Sequence, residues 1–131
     1  MLVGTEAENR LTGTIIGAAI KVHTRLGPGL LEHTYARCLH HEMEKAGLRV
    51  QAQLFVDLKY DDLTIERAYR LDLLVEESVV IEIKAVEKAL PVHHSQVLTY
   101  LKLTGKPIGL LLNFNVTKLP NGIKRLRRDQ S

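Results

Sequence analysis

Two charged side chains interrupt an otherwise apolar segment at residues 79–85, which reads VVIEIKA. Alternation along a β-strand places Glu82 and Lys84 on one face, together with Val80. A charge on a face that packs into a core is costly unless it is paired or bound to a metal ion. The carboxylate can bind a divalent cation, and the ammonium can stabilise charge that develops on a phosphate. Taken as a bare pattern, the same two residues are also typical of an exposed hairpin with a solvated ion pair.

Asp72 lies on the preceding predicted strand, and its position relative to Glu82 depends on the turn between the strands. A three-residue loop at 76–78 places Asp72 directly opposite Glu82, whereas a two-residue loop moves Asp72 to the other face. Like charges directly opposite each other destabilise a sheet. A hard cation such as Mg²⁺ removes that repulsion, because it binds carboxylate oxygens and keeps waters for substrate phosphates.

Two predicted helices bring further polar groups to such a site. Glu32 shares a helical stripe with apolar positions and is expected to be buried, which favours a metal ion as its partner. The alternative is that Glu32 is a negative charge favoured in the first turn of a helix. On a later helix, Gln96 and Tyr100 lie four residues apart and face together. In one interpretation they are hydrogen-bonding groups for a phosphate or a base. In the other they form the edge of the core. The apolar members of the Glu32 stripe are Tyr35, Leu39, Met43 and Ala46.

The basic residues concentrate in the C-terminal segment 117–131. This segment has five basic residues against Asp129, whereas the whole chain carries a net charge of +3. A basic segment suits a phosphate backbone, because lysine and arginine release its condensed counterions. The alternative is a solvated tail that maintains solubility. The candidate phosphate contacts are Lys124, Arg125, Arg127 and Arg128.

The elements that must position these residues predict an α/β fold with a mixed central sheet flanked by helices. Capping-box spacing at 5–8 starts a first helix, a glycine-proline-glycine sequence at 27–29 ends it, and Gly47 ends the second. A helix between the third and fourth strands permits a parallel crossover. The predicted ranges are about 30–46 and 91–103 for the later helices, and 49–60, 64–75, 78–86, 108–114 and 123–127 for the strands.

Length and composition restrict the class of protein. We expect one domain over residues 1–131, and no segment approaches the roughly 20 apolar residues of a membrane span. The N-terminal sequence is unlike a signal peptide, and the lone Cys38 cannot form an internal disulfide, so the expected location is cytoplasmic. The six histidines lack zinc-type spacing, although His23 is a candidate neighbour of Glu32. A metabolic enzyme is disfavoured, since there is no glycine-rich phosphate loop or nucleophile elbow.

The segment 29–35, GLLEHTY, resembles the signature of the GxxExxY protein family. The resemblance extends from Val22-His23 through 81–85, IEIKA, to 106–114, KPIGLLLNF. That family is similar to the PD-(D/E)XK nuclease superfamily, and 96–100, QVLTY, resembles the Gln-x-x-x-Tyr motif of its RecB-like members. The resemblance implies a restriction-endonuclease-like core with Asp72, Glu82 and Lys84 as the nuclease motif. Glu32 is then an additional carboxylate from the helix before the sheet.

The sequence therefore predicts a nuclease dependent on Mg²⁺ or Mn²⁺, in which Asp72, Glu82 and Glu32 hold the metal ion. Lys84 orients water or stabilises charge, and Gln96 and Tyr100 place the substrate. The expected partner is nucleic acid, with DNA favoured over RNA and no membrane. A homodimer or a partner protein is a further expectation. The alternatives are a non-catalytic nucleic-acid-binding module and a structural or regulatory subunit that works only with a partner. An aromatic content of 5% argues against a single-strand stacking platform.

Overall fold

Thr5 caps the first helix with the predicted capping box: its side chain accepts from the N–H of Glu8, and the Glu8 carboxylate accepts from the N–H of Thr5. The computed structural model describes residues 5–128. No helix in this range is long and apolar enough to cross a membrane. The helices are α1 (Glu6–Leu26), α2 (Glu32–Lys45) and α3 (Pro91–Thr104); the strands are β1 (Val50–Tyr60), β2 (Leu63–Val75), β3 (Val79–Lys84), β4 (Ile108–Asn113) and β5 (Ile123–Arg127).

The five strands form one mixed sheet in the order β1-β2-β3-β4-β5. The β3–β4 pair is parallel and the other neighbouring pairs are antiparallel, so the predicted crossover through α3 is confirmed. Val75 pairs with Val79, as expected for the three-residue loop at 76–78. A short 3₁₀ helix at Leu119–Gly122 precedes β5.

Helices cover both faces of the sheet. α1 and α2 pack on one face, the α1/α2 face, where Tyr35, Ile81 and Leu110 are fully buried. α3 packs on the other, the α3 face, against Val80 and Leu111. Gly109 permits this contact, because a Cβ at that position would lie 2.5 Å from the side chain of Val97 on α3.

The regular alternation of β1 and β2 breaks at Gln53 and Asp72, which lie between the pairs Ala52–Leu73 and Leu54–Leu71. Leu71 belongs to the core of the α3 face, whereas Leu73, two residues further on, belongs to the core of the α1/α2 face. Gln53 has a left-handed backbone with φ of 54°. Irregularities of this kind change the direction in which a side chain leaves the sheet. Here the side chain concerned is that of Asp72.

Candidate functional site

Asp72 lies where β2 separates from β3. The antiparallel ladder ends with Leu73 paired to Ile81, one step before Asp72 and Glu82 would meet. Beyond that point the carboxylate replaces the lost backbone partner, since Asp72 Oδ2 accepts a 2.8 Å hydrogen bond from the N–H of Ile83. Asp72 is therefore fixed beside the β3 backbone next to Glu82.

Glu82 is a buried carboxylate in which one of the two oxygens has a polar partner. It is 6% exposed, and its Oε2 lies 3.3 Å from Lys84 Nζ. Its Oε1 is buried and has no hydrogen-bond partner within residues 5–128. Burial, reinforced by the neighbouring charge of Asp72, raises the pKa of Glu82 to about 7, although Lys84 opposes the rise. Burial also raises the pKa of Asp72, against the hydrogen bond from Ile83. Two carboxylates thus share a poorly hydrated space.

Glu32 lies at the first residue of α2 and reaches the end of β3. Its Oε2 accepts a 3.1 Å hydrogen bond from the N–H of Ala85, two residues after Ile83. The expectation that Glu32 is buried is wrong. Glu32 is exposed, whereas Tyr35, Leu39 and Met43 on the same helical stripe are buried. At the first turn of α2 this stripe no longer faces the core, which leaves the carboxylate at the mouth of the site.

Tyr35 fixes the loop that leads into Glu32. Its hydroxyl donates to the carbonyl of Gly27 and accepts from the N–H of Leu30 at 3.1 Å. Its ring stacks on Phe114 with a centroid distance of 4.5 Å. The start of α2 is therefore anchored to the chain that follows β4.

His23 supports the same region from α1. The buried Nε2 lies 3.1 Å from the carbonyl oxygen of Phe114 and 2.8 Å from that of Val116. Because both partners are acceptors, Nε2 carries the proton. The hydrogen bonds of His23 hold the segment after β4, and none of them involves Glu32.

Asn113 is a supporting residue that the sequence analysis missed. Its side-chain amide accepts from the N–H of Val86 at 3.1 Å and donates to the carbonyl of Val86 at 2.9 Å. The N–H of Phe114 also donates to the carbonyl of Lys84. Asn113 ends an otherwise apolar strand that is parallel to β3, so its polarity at the carboxyl edge of the sheet is the signal that could have identified it. These contacts fix the chain directly after Lys84.

Gln96 and Tyr100 lie on α3 behind Glu82. Tyr100 is 4% exposed and packs edge-on against Tyr69, with the ring centroids 5.8 Å apart. Burial, together with the charge of Glu82, raises the pKa of Tyr100 to about 12, while Gln96 acts in the opposite direction. Tyr100 therefore has little surface for a substrate, which favours the core-edge interpretation. Gln96 is half-buried and retains a path to ligands.

The C-terminal basic residues do not form a solvated tail, and they do not share one surface. Those on β5 lie beside β4, with Arg127 opposite Ile108 and Lys124 opposite Leu111. Neighbours across a sheet face the same way, so Lys124 points to the α3 face and Arg127 to the α1/α2 face. Arg127 forms a 3.1 Å ion pair with Glu8 of α1. Arg125 and Arg128 are half-buried, and Asp129 lies outside the described residues.

A cleft of about 570 Å³ opens beside the carboxylates, between α2 and the β1–β2 pair. Asp72 and Glu32 line it on one side. Arg70 on β2 and Arg37 on α2 bring positive charge that the sequence analysis did not consider. Arg70 could have been found from its position two residues before Asp72. Arg37 could be identified only once the docking of α2 on the sheet was known.

The residues present fit a divalent cation in part. Asp72 and Glu82 have the hard oxygen donors that Mg²⁺ and Mn²⁺ select, and Glu82 Oε1 is a buried acceptor without a partner. Within residues 5–128, no three side chains of His, Cys, Asp or Glu are already grouped to hold a metal ion. Asp72 and Glu82 are therefore the two residues whose carboxylates suit a divalent cation. Glu32, whose Oε2 is engaged by Ala85, does not complete a preformed set of three.

The chain matches the family model of the PD-(D/E)XK nuclease superfamily over residues 9–126. Among solved structures it is similar to the crystal structure of an alkaline exonuclease from Laribacter hongkongensis. That match has a TM-score of 0.51 and 18% sequence identity, and it covers 97% of this chain and 73% of the other. The crystal structure of SSO0001 gives a TM-score of 0.43 and 17% identity, over 98% of this chain and 79% of the other. A comparison with curated proteins gives no significant match. The predicted restriction-endonuclease-like α/β fold is confirmed.

Proposed function

Because the chain belongs to the PD-(D/E)XK nuclease superfamily, we propose that it is a metal-dependent nuclease that hydrolyses phosphodiester bonds, with DNA preferred over RNA. The observation that carries the proposal is the buried Glu82 Oε1, which has no hydrogen-bond partner in the described chain and lies beside a second carboxylate. Such a pair is costly in the empty protein and becomes favourable when a cation is bound. The segment 29–35 further supports membership of the GxxExxY family within this superfamily.

Asp72 and Glu82 would hold Mg²⁺ or Mn²⁺, and Glu32 would support it through a water molecule. When bound, such an ion lowers the pKa of a coordinated water and polarises the phosphate. The hydrogen bond from Ile83 to Asp72 and the one from Ala85 to Glu32 orient both carboxylates against the end of β3. Oriented ligands of this kind typically depend on such backbone contacts for their geometry.

Lys84 supplies positive charge to the same site. Its side chain is 16% exposed and remains 3.3 Å from Glu82 Oε2, so the ammonium is held beside the carboxylates rather than in bulk solvent. An ammonium held there stabilises negative charge that develops on the phosphate, or orients the attacking water. Gln96 adds a neutral hydrogen-bonding group for the substrate, with Tyr100 supporting it from the core. Of the C-terminal residues, Lys124 is exposed and is the best placed to contact a distant phosphate.

The test is cleavage of single-stranded DNA, duplex DNA and RNA by the full chain with Mg²⁺, Mn²⁺ or EDTA. Asp72→Asn, Glu82→Gln and Lys84→Met preserve side-chain size while each removes one charge. We expect each to lower the cleavage rate by two to three orders of magnitude. Glu87→Gln is the matched control, because it makes the same chemical change at an exposed position.

Full activity in all three variants, or cleavage that persists in EDTA, would contradict the proposal. Wild-type protein that binds nucleic acid and Mn²⁺ but cleaves none of the three substrates would instead favour the non-catalytic binding module. Circular dichroism and thermal melting of each variant separate loss of chemistry from loss of fold.

A further inference from the structure

Phe55 is an aromatic side chain left at the surface of β1. It is 46% exposed, although large aromatic residues usually supply core contacts. The guanidinium of Arg67 lies over its ring, with Cζ 3.8 Å from the ring centroid. Arg70 is its direct partner across the β1–β2 ladder. Directly opposite residues in a sheet share a face, so Phe55 and the two arginines form one surface, the Phe55 platform.

An irregularity of the sheet builds this surface. The β1–β2 register shifts between Val56 and Leu58, and Arg67 has a left-handed backbone with φ of 54°. The N–H of Arg67 donates a 2.9 Å hydrogen bond to Asp57 Oδ1, which fixes the irregular segment. The shift directs Arg67 back over Phe55, so the guanidinium–ring stack is a consequence of local backbone geometry.

The Phe55 platform is continuous with the candidate site. Arg70 belongs to the platform and also lines the cleft that contains Asp72 and Glu32. Arg37 lines the same cleft from α2. Within residues 5–128, neither Arg37 nor Arg70 forms an ion pair. A path of positive charge therefore leads from the carboxylates to an exposed aromatic ring.

We propose that the Phe55 platform binds an unpaired base of a nucleic-acid strand whose phosphates contact Arg37 and Arg70 in the cleft. Aromatic rings and guanidinium planes both stack on bases, and every base offers a suitable face. The base replaces the guanidinium of Arg67 on the ring of Phe55. In a duplex those faces are already stacked on neighbouring bases, so the platform selects a single strand or a frayed end. This inference rests on the proposed function and specifies its substrate.

Low aromatic content does not oppose this assignment, because one ring suffices when it lies at the end of a charged cleft. The remaining exposed large apolar side chains of the hairpin are Tyr60, Leu63 and Ile65, near its turn. Tyr60 therefore offers a matched control, since it is an exposed aromatic residue on the same strand without an opposing arginine. Its direct partner is Leu63.

The experiment measures binding of the full chain to a 12-nucleotide single strand in EDTA, so that no cleavage takes place. The strand carries one 2-aminopurine, whose fluorescence falls when it stacks on an aromatic ring. We expect Phe55→Ala to weaken binding by about 5- to 100-fold and to abolish the fluorescence change, which is the usual range for loss of one base stack. Phe55→Tyr retains both signals, whereas Phe55→Leu, which keeps apolar area but loses the plane, does not. Tyr60→Ala binds as wild type.

The salt dependence of binding distinguishes the contribution of the two arginines from that of the Phe55 ring. Arg37→Ala and Arg70→Ala should each reduce the slope of log K against log salt concentration by about 0.7, the value for one phosphate contact on a single strand. Phe55→Ala should leave that slope unchanged, because it removes no charge. A blunt duplex of the same sequence should bind equally well to wild type and Phe55→Ala.

Equal single-strand affinity of wild type and Phe55→Ala, or equal losses in Phe55→Ala and Tyr60→Ala, overturns the platform. A concentration-dependent mass that disappears in Phe55→Ala shows that a second copy covers the surface, and also overturns it. If the wild type cleaves nucleic acid while Phe55→Ala binds normally, the platform fails and the nuclease stands. If the stacking signals appear but no metal supports cleavage, the nuclease fails and the platform stands.

Discussion

Replacing Glu82 with glutamine should stabilise the metal-free protein at alkaline pH. In the wild type, Glu82 is buried beside Asp72, and its Oε1 has no hydrogen-bond partner among residues 5–128. Its only ion pair in that range is the 3.3 Å contact with Lys84. Glutamine keeps the size of the side chain and an oxygen that can accept from Lys84, while it removes the buried negative charge. The substitution therefore removes an electrostatic cost with little change in packing.

The pKa of Glu82 determines the sign and size of the effect. Its folded-state pKa of about 7 lies above the usual 4.5, so the folded state binds more protons than the unfolded state between these values. The free energy of unfolding consequently falls as pH rises through this window, and it is level above it. The difference corresponds to an upper bound of roughly 3 kcal/mol. The pKa of about 7 already includes the attraction of Lys84. The glutamine amide N–H₂, which would lie where Glu82 Oε1 has no hydrogen-bond partner among residues 5–128, offsets part of the gain and leaves about 1–3 kcal/mol for Glu82→Gln at pH 8.

Urea denaturation in EDTA at pH 5 and pH 8 measures this effect directly. At pH 5 the variant and the wild type should unfold at similar urea concentrations, whereas at pH 8 the variant should require more urea. Glu87→Gln, an exposed counterpart, should match the wild type at both values. A Glu82→Gln variant that is less stable than the wild type at pH 8, or equally dependent on pH, would refute the reasoning about the buried pair.

Further predictions concern the ion and the supporting contacts. At pH 8, Mg²⁺ should raise the thermal midpoint of the wild type, by mass action on the folded state, and should change that of Glu82→Gln far less. Tyr35→Phe should cost about 1–3 kcal/mol in urea denaturation, because it leaves the N–H of Leu30 and the carbonyl of Gly27 without their hydroxyl partner, and its cleavage should fall while Mn²⁺ still binds. Asn113→Ala should lose a similar amount of stability, and faster hydrogen exchange at Val86 would show that the hydrogen bonds between the Asn113 side chain and the Val86 backbone are lost.

The sequence by itself determined the order of elements and much of the site. Alternation, capping and turn signals predicted the helices and strands to within a few residues, because these features depend on neighbours along the chain. The three-residue loop at 76–78 was enough to define the β2–β3 register, in which Val75 pairs with Val79. The direct pairing of Asp72 with Glu82 that this register predicts is not part of the ladder, which ends at Leu73 and Ile81. Local pattern therefore sufficed wherever the interacting residues were joined by a short connection.

Only the tertiary structure decided which side chains face the cleft. The docking of α2 on the sheet sets the exposure of Glu32 and the placement of Arg37, and no local pattern encodes that docking. The ion pair of Arg127 with Glu8 links β5 to α1, and the sequence did not predict this contact. The irregularities at Gln53 and Arg67 depend on strand pairing, and they direct Asp72 to β3 and place the Phe55 platform on the face of the cleft. The candidate site residues were thus recognisable from their types and spacing, whereas their orientation came from contacts between residues far apart in the chain.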